Sequence, residues 1–100
     1  MPFQIVRTKT RPSSDINFYF INNRIIEEAV DQLGAKHISS KVETIGNTQK
    51  VTRVFVDEDA YQEFMNIITS NVDHEATIQA RDQYDNENGI ISEVVTSTIP

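Results

Sequence analysis

"VTRVFVDEDAYQEFMN", residues 51–66, changes its period half-way along. The first six residues alternate, with Thr52, Val54 and Val56 on one side of an extended chain. Asp57, Glu58 and Asp59 then crowd a position that suits a helix N-terminus, where the macrodipole favours anions. Tyr61, Phe64, Met65 and Ile68 follow at i, i+3, i+4 and i+7, which is the core face of a helix. The strand has a partner upstream. "HISSKVETI", residues 37–45, also alternates, with Ile38, Ser40 and Val42 on one face, and Gly46-Asn47 in "GNTQK" supplies the turn. A β-hairpin that runs straight into an amphipathic helix is the predicted centre of the fold.

Before the hairpin, Ile25, Ile26, Ala29, Val30 and Leu33 share one helical face, and Arg24, Glu27, Glu28 and Asp31 cover the other. Asn22 or Asn23 can cap this helix, and Gly34 stands where a left-handed stop belongs. "FQIVRTKT", residues 3–10, reads as the first strand, with Pro12 to Asp15 as a turn after it. "INFYFI", residues 16–21, fits either a short returning strand or an ordered loop. After the break at Ser70-Asn71, the spacing predicts a third helix over residues 73–87, with Ala76, Ala80 and Tyr84 inward. "RDQYDNENGI", residues 81–90, looks at first like a calcium loop. With Gly89 as its sixth position, positions one and twelve fall on Tyr84 and Val95, so that reading fails. The stretch reads instead as a weakly held, hinge-like helix exit, with Asp82, Asp85 and Glu87 in water. "IISEVVTSTI", residues 90–99, is the last strand.

The order is β-α-β-β-α-α-β in a single α+β domain over residues 1–100. It predicts a ferredoxin-like split βαβ arrangement: a four-stranded antiparallel sheet, helices on one face, and an extra helix before the last strand. The other face of the sheet is then bare. Phe3, Ile5 and Phe55, with some of Ile91, Val95 and Ile99, are expected on it, and exposed apolar sheet implies a partner.

"VTRVFVDEDAYQEFMN", with Ala60, Tyr61 and Phe64, and the closing "NGIISEVV" resemble the dimeric α+β-barrel superfamily, which includes monooxygenases of the antibiotic-biosynthesis type. The resemblance implies a dimer made by two sheets packing face to face. Asn, Trp and His side chains line the pocket of that family's cofactor-free oxygenases. This chain has no Trp, and no family catalytic residue maps onto it.

The chemistry open to the chain is narrow. Cysteine is absent, which excludes disulfides, thiolate metal sites and thiol catalysis. Three glycines leave no glycine-rich phosphate loop, and no serine occupies a nucleophile elbow. Neither His37 nor His74 has a second ligand at zinc spacing, so no metal site and no cofactor are expected. His37, His74 and Tyr84 are the candidates an enzyme would turn into a pocket. Arg7, Lys9 and Arg11 alternate on one strand face, either as a small anion-binding stripe or as an outward face paired with acids such as Glu93. Phe18, Tyr19 and Phe20 are consecutive, so both sides of that segment need cover, from this domain or from a second subunit.

Charge is uneven. Residues 1–53 hold eight of the nine Lys and Arg against five acids, and residues 54–100 hold Arg81 against ten acids. A net charge of −6 disfavours a nucleic-acid partner, whereas pairing between the halves within one monomer is expected. "MPFQIVRTKT" has no apolar run of signal-peptide length and no window approaches a membrane span, so a cytoplasmic location is expected. Leu33 is the single leucine among thirteen isoleucines, a coding bias of AT-rich genomes such as those of many phages. A virion or other particle assembled inside the cell is therefore the alternative location. Three functions follow. The first is a non-catalytic binding or structural module that self-associates through its sheet, as a homodimer or with other protein chains. The second is a cofactor-independent oxygenase-like enzyme acting on a small molecule. The third is a phage or particle component.

Overall fold

The computed structural model describes residues 1–19 and 24–100. Its elements are β1 (Phe3–Thr10), α1 (Arg24–Leu33), a 3-10 turn (Gly34–Lys36), β2 (His37–Ile45), β3 (Thr48–Phe55), α2 (Glu58–Thr69), α3 (Val72–Asn88) and β4 (Ile91–Thr98). The sheet order is β2-β3-β1-β4, and every neighbouring pair is antiparallel. This is the ferredoxin-like α+β fold with three helices. Residues 16–19 join no strand, and the proposed caps Asn22 and Asn23 lie outside the described residues. No described helix is long and apolar enough to cross a membrane.

Local chemistry sets these boundaries. Asp57, extended in its backbone, accepts a hydrogen bond from the Ala60 amide at 2.8 Å and so starts α2. Asn71 does the same for α3 through the amides of Asp73 and His74. Gly89, at φ 69°, ends α3 in the left-handed conformation that a side chain disfavours.

The core lies between α1, α2 and one face of the sheet. Ala29, Leu33, Phe55, Ala60, Phe64 and Ile68 are buried together, with Ile5, Ile25, Ile26, Val30, Tyr61 and Met65 packed around them. Phe55 is its centre, with ring centroids 5.3 Å from Phe64 and 5.6 Å from Tyr61. Burial of one such aromatic side chain stabilises the fold by roughly 1.5–3 kcal/mol.

The register corrects the face assignment of the sheet. Phe3 pairs with Phe55, Ile5 with Arg53 and Arg7 with Val51, and this set of side chains meets the helices. Phe3, Ile5 and Phe55, expected on the bare face, therefore lie on the covered one. The bare face carries Gln4, Val6 and Thr8 of β1, Lys50, Thr52 and Val54 of β3, Lys41, Glu43 and Ile45 of β2, and Ile91, Glu93 and Val95 of β4. A bulge between His37 and Ser39 takes Ile38 out of the alternation.

The inward face of α3 differs as well. Ala76 and Ala80 are exposed, and His74, Ile78, Arg81 and Asp85 turn toward the sheet instead. Asp85 is buried rather than in water. Its carbonyl accepts from the amides of Gly89 and Ile90, Asn88 holds the Tyr84 carbonyl, and Ile90 is buried. The exit of α3 is thus anchored and is no hinge.

Candidate functional site

β1 is a central strand, and its register turns Arg7 and Lys9 onto the helix-covered face. Lys9 donates to Asp85 Oδ2 at 3.0 Å, with side chains only 8 % and 10 % exposed. The acid expected to pair here, Glu93, sits beside Thr8 on the opposite face. The second oxygen of Asp85, Oδ1, is buried without a partner among the described residues.

Arg7, two residues back, is half-buried, and its guanidinium makes no hydrogen bond among the described residues. Burial, and next the charge of Arg81, depress its guanidinium below the ordinary value, while Asp82, Tyr61 and Asp85 act the other way. Arg81 has a side chain 11 % exposed, and its ion partner is the adjacent Asp82 at 3.0 Å. His74 is 7 % exposed, and its Nδ1 is buried and unpartnered among the described residues. Burial first, and Arg81 second, push His74 below the usual histidine range, which favours the neutral imidazole. Arg53 adds a further guanidinium from β3, 5.9 Å from the Phe64 ring and donating to Ser40 Oγ at 3.1 Å. It too is depressed, by burial and then by Arg7.

The other candidates are placed differently. Arg11 is a loop anchor: it donates to the carbonyls of Ile16 and Gly46 and to Asn47, and it lies 4.9 Å from the centre of the Phe18 ring. Tyr84 donates to the Asn17 carbonyl at 2.6 Å and packs on Tyr19 at 5.4 Å. Phe18 and Tyr19 thus find cover within this chain, and Phe20 lies outside the described residues. His37 shares a 2.8 Å hydrogen bond with Ser40 and stands edge-on to Phe55. Burial, and then Arg53, lower its pKa. The structure sets Arg7 and Lys9 against Arg81 and Asp85 of α3, places His74 about two turns before Arg81 on that helix, and leaves Arg11, His37 and Tyr84 apart. Two partners were missed in the sequence, Arg81 and Asp85. Arg81 carried a signal, being the single cation among ten acids in residues 54–100.

Two open hollows lie elsewhere, one beside Ile25, Ala29, Ile67 and Asn71, the other beside Ile26, Val30, Val42 and Arg53. Neither includes His74, Tyr84 or Arg7. No group of three or more His, Asp or Glu able to hold a metal occurs among the described residues.

No protein-family model and no curated protein matches the sequence. Solved structures do match. SnoaB, a cofactor-independent oxygenase from Streptomyces nogalater, aligns with TM-score 0.58 at 12 % identity, over 99 % of this chain and 93 % of that one. A NIPSNAP family protein from Agrobacterium tumefaciens aligns with TM-score 0.51 at 14 % identity, over 98 % and 86 %. At such identities the likeness is one of fold alone, the ferredoxin-like α+β arrangement described above.

Proposed function

We propose that the protein is a small binding module that works as a two-fold dimer, closed by packing its bare sheet face on that of a second copy. The observation that carries this reading is the composition of that face. Val6 pairs with Val95 beside Thr52 and Val54, while Ile45 and Ile91 stand at two corners, the latter 71 % exposed. Lys41 and Lys50 balance Glu43 and Glu93, so the face is neutral on a chain of net charge −6. A neutral face with both signs present suits its own copy and meets none of the repulsion that the rest of the surface imposes. Four strands spaced about 4.8 Å, of eight or nine residues each rising about 3.3 Å, give a footprint of roughly 500 Å² per partner. The total, about 1,000 Å², is the smallest area expected of a specific dimer.

The test compares two substitutions on β4. Val95→Glu places a charge on the bare face, and Thr96→Glu places one on the opposite face. Val95→Glu should elute as a monomer with unchanged circular dichroism, and Thr96→Glu as the wild-type dimer. Equal elution of both variants with the wild type would refute the reading.

A second reading is a cofactor-independent enzyme acting on a small molecule. The buried, unpartnered imidazole of His74 favours it, because a neutral base in a desolvated site is suited to proton abstraction. Oxygen uptake with small aromatic compounds, lost in His74→Gln, would support this reading, and no uptake across such a panel would oppose it.

A further inference from the structure

α3 runs along β1 with matched spacing. Two residues of strand advance about 6.7 Å and four residues of helix about 6 Å. The contact between Lys9 and Asp85 therefore brings Arg7 level with Arg81, one rung back on both elements. The first rung is complementary. The second is a pair of like charges: Arg7 senses the cation of Arg81, which Asp82 and Asp85 offset only in part. Asp82 offsets Arg81 only from the rim, with a side chain 64 % exposed. His74 lies seven residues before Arg81 on the same helical face, and its Nδ1 lacks a partner among the described residues.

Such an arrangement is unfavourable when empty, because desolvation and mutual repulsion both act against the two guanidinium groups. An anion between them reverses the sign. The charges also fix how many negative charges it should carry. Arg7, Lys9 and Arg81 are opposed by Asp82 and Asp85, His74 is held neutral, and Arg53 is turned onto Phe64 and Ser40. One positive charge is left over, which matches a monoanion better than a phosphate dianion. Guanidinium groups bind planar oxygen pairs through two parallel hydrogen bonds, which is the geometry of a carboxylate.

We propose that the rung formed by Arg7 and Arg81 is a binding site for a small organic carboxylate. The site is on the helix-covered side of the sheet, so it stands whether or not the bare faces pair.

Isothermal titration and thermal melts with sodium acetate, sodium benzoate, sodium phosphate and sodium chloride at constant ionic strength test it. Acetate or benzoate should raise the melting temperature above the chloride and phosphate controls. Arg7→Gln and Arg81→Gln should each weaken carboxylate binding roughly tenfold or more, since a hydrogen bond between charged groups is lost. The same variants should keep or raise the stability of the ligand-free protein, because repulsion is relieved; a purely structural arginine would lower it. Arg24→Gln, on the outer face of α1, should leave carboxylate affinity unchanged. Equal melting temperatures in acetate and chloride, tighter binding of phosphate, or carboxylate affinity unchanged in both variants would each overturn the proposal.

Discussion

Asp85→Ala isolates the contribution of the polar contact that seats α3 on the sheet. The substitution removes the carboxylate from Lys9, whose side chain is 8 % exposed on a strand flanked by neighbours on both sides. β1 cannot shift to release the ammonium, and the lysine stem has little room to carry it to water. An uncompensated buried charge costs about 3–5 kcal/mol. For a domain of this size, each kcal/mol moves the melting temperature by about 4–8 °C, so the variant should melt at least roughly 12 °C lower. The backbone bonds from Gly89 and Ile90 to the Asp85 carbonyl survive the change, so the loss reports the side chain. Lys9→Met combined with Asp85→Leu fills the same space without charge and should recover most of the loss. Urea unfolding followed by circular dichroism measures both variants. A cost below about 1 kcal/mol for Asp85→Ala, the value of an exposed pair, would refute the reasoning. So would a double variant no more stable than the single one.

Two further outcomes follow from the geometry. His74 has a depressed folded pKa, so between that value and its unfolded value of about 6.5 the unfolded chain binds more protons. Stability is then full above about pH 6.5 and falls as pH drops below it. His37 contributes with the same sign. His74→Gln should flatten the slope just below about pH 6.5, measured by urea midpoints, and an unchanged slope would contradict the assignment. Gly89→Ala should cost about 1–2 kcal/mol from its positive φ alone. The added Cβ meets only Pro12 Cγ at 3.6 Å, an ordinary contact, so a loss well beyond that range would point to a clash that the geometry does not contain.

The parts of the fold held by local chemistry were legible in the sequence. The face of α1, the Gly46-Asn47 turn and the acidic start of α2 all follow from residues close to one another in the chain. What escaped depended on distant partners. β1 presents Phe3 and Ile5 and then Arg7 and Lys9 along a single face, apolar at one end and cationic at the other. Alternation alone gives no sign of which face is covered when both faces carry branched residues. The inward side of α3 was misread because Ala76 and Ala80 satisfy the helical period. The true face is polar, and its anchor is an ion pair between residues 76 positions apart. Of the candidate site, Arg7 and Lys9 were named from sequence, but their meeting with Arg81 and Asp85 needed the position of α3.

The central claim is that the uncovered sheet face belongs against a second copy. Sedimentation equilibrium at tens of micromolar tests it most directly. The account predicts a mass twice the 11.4 kDa of the chain, falling to the single-chain value when Val95 becomes Glu. A wild-type protein that sediments at the single-chain mass throughout that range would contradict it.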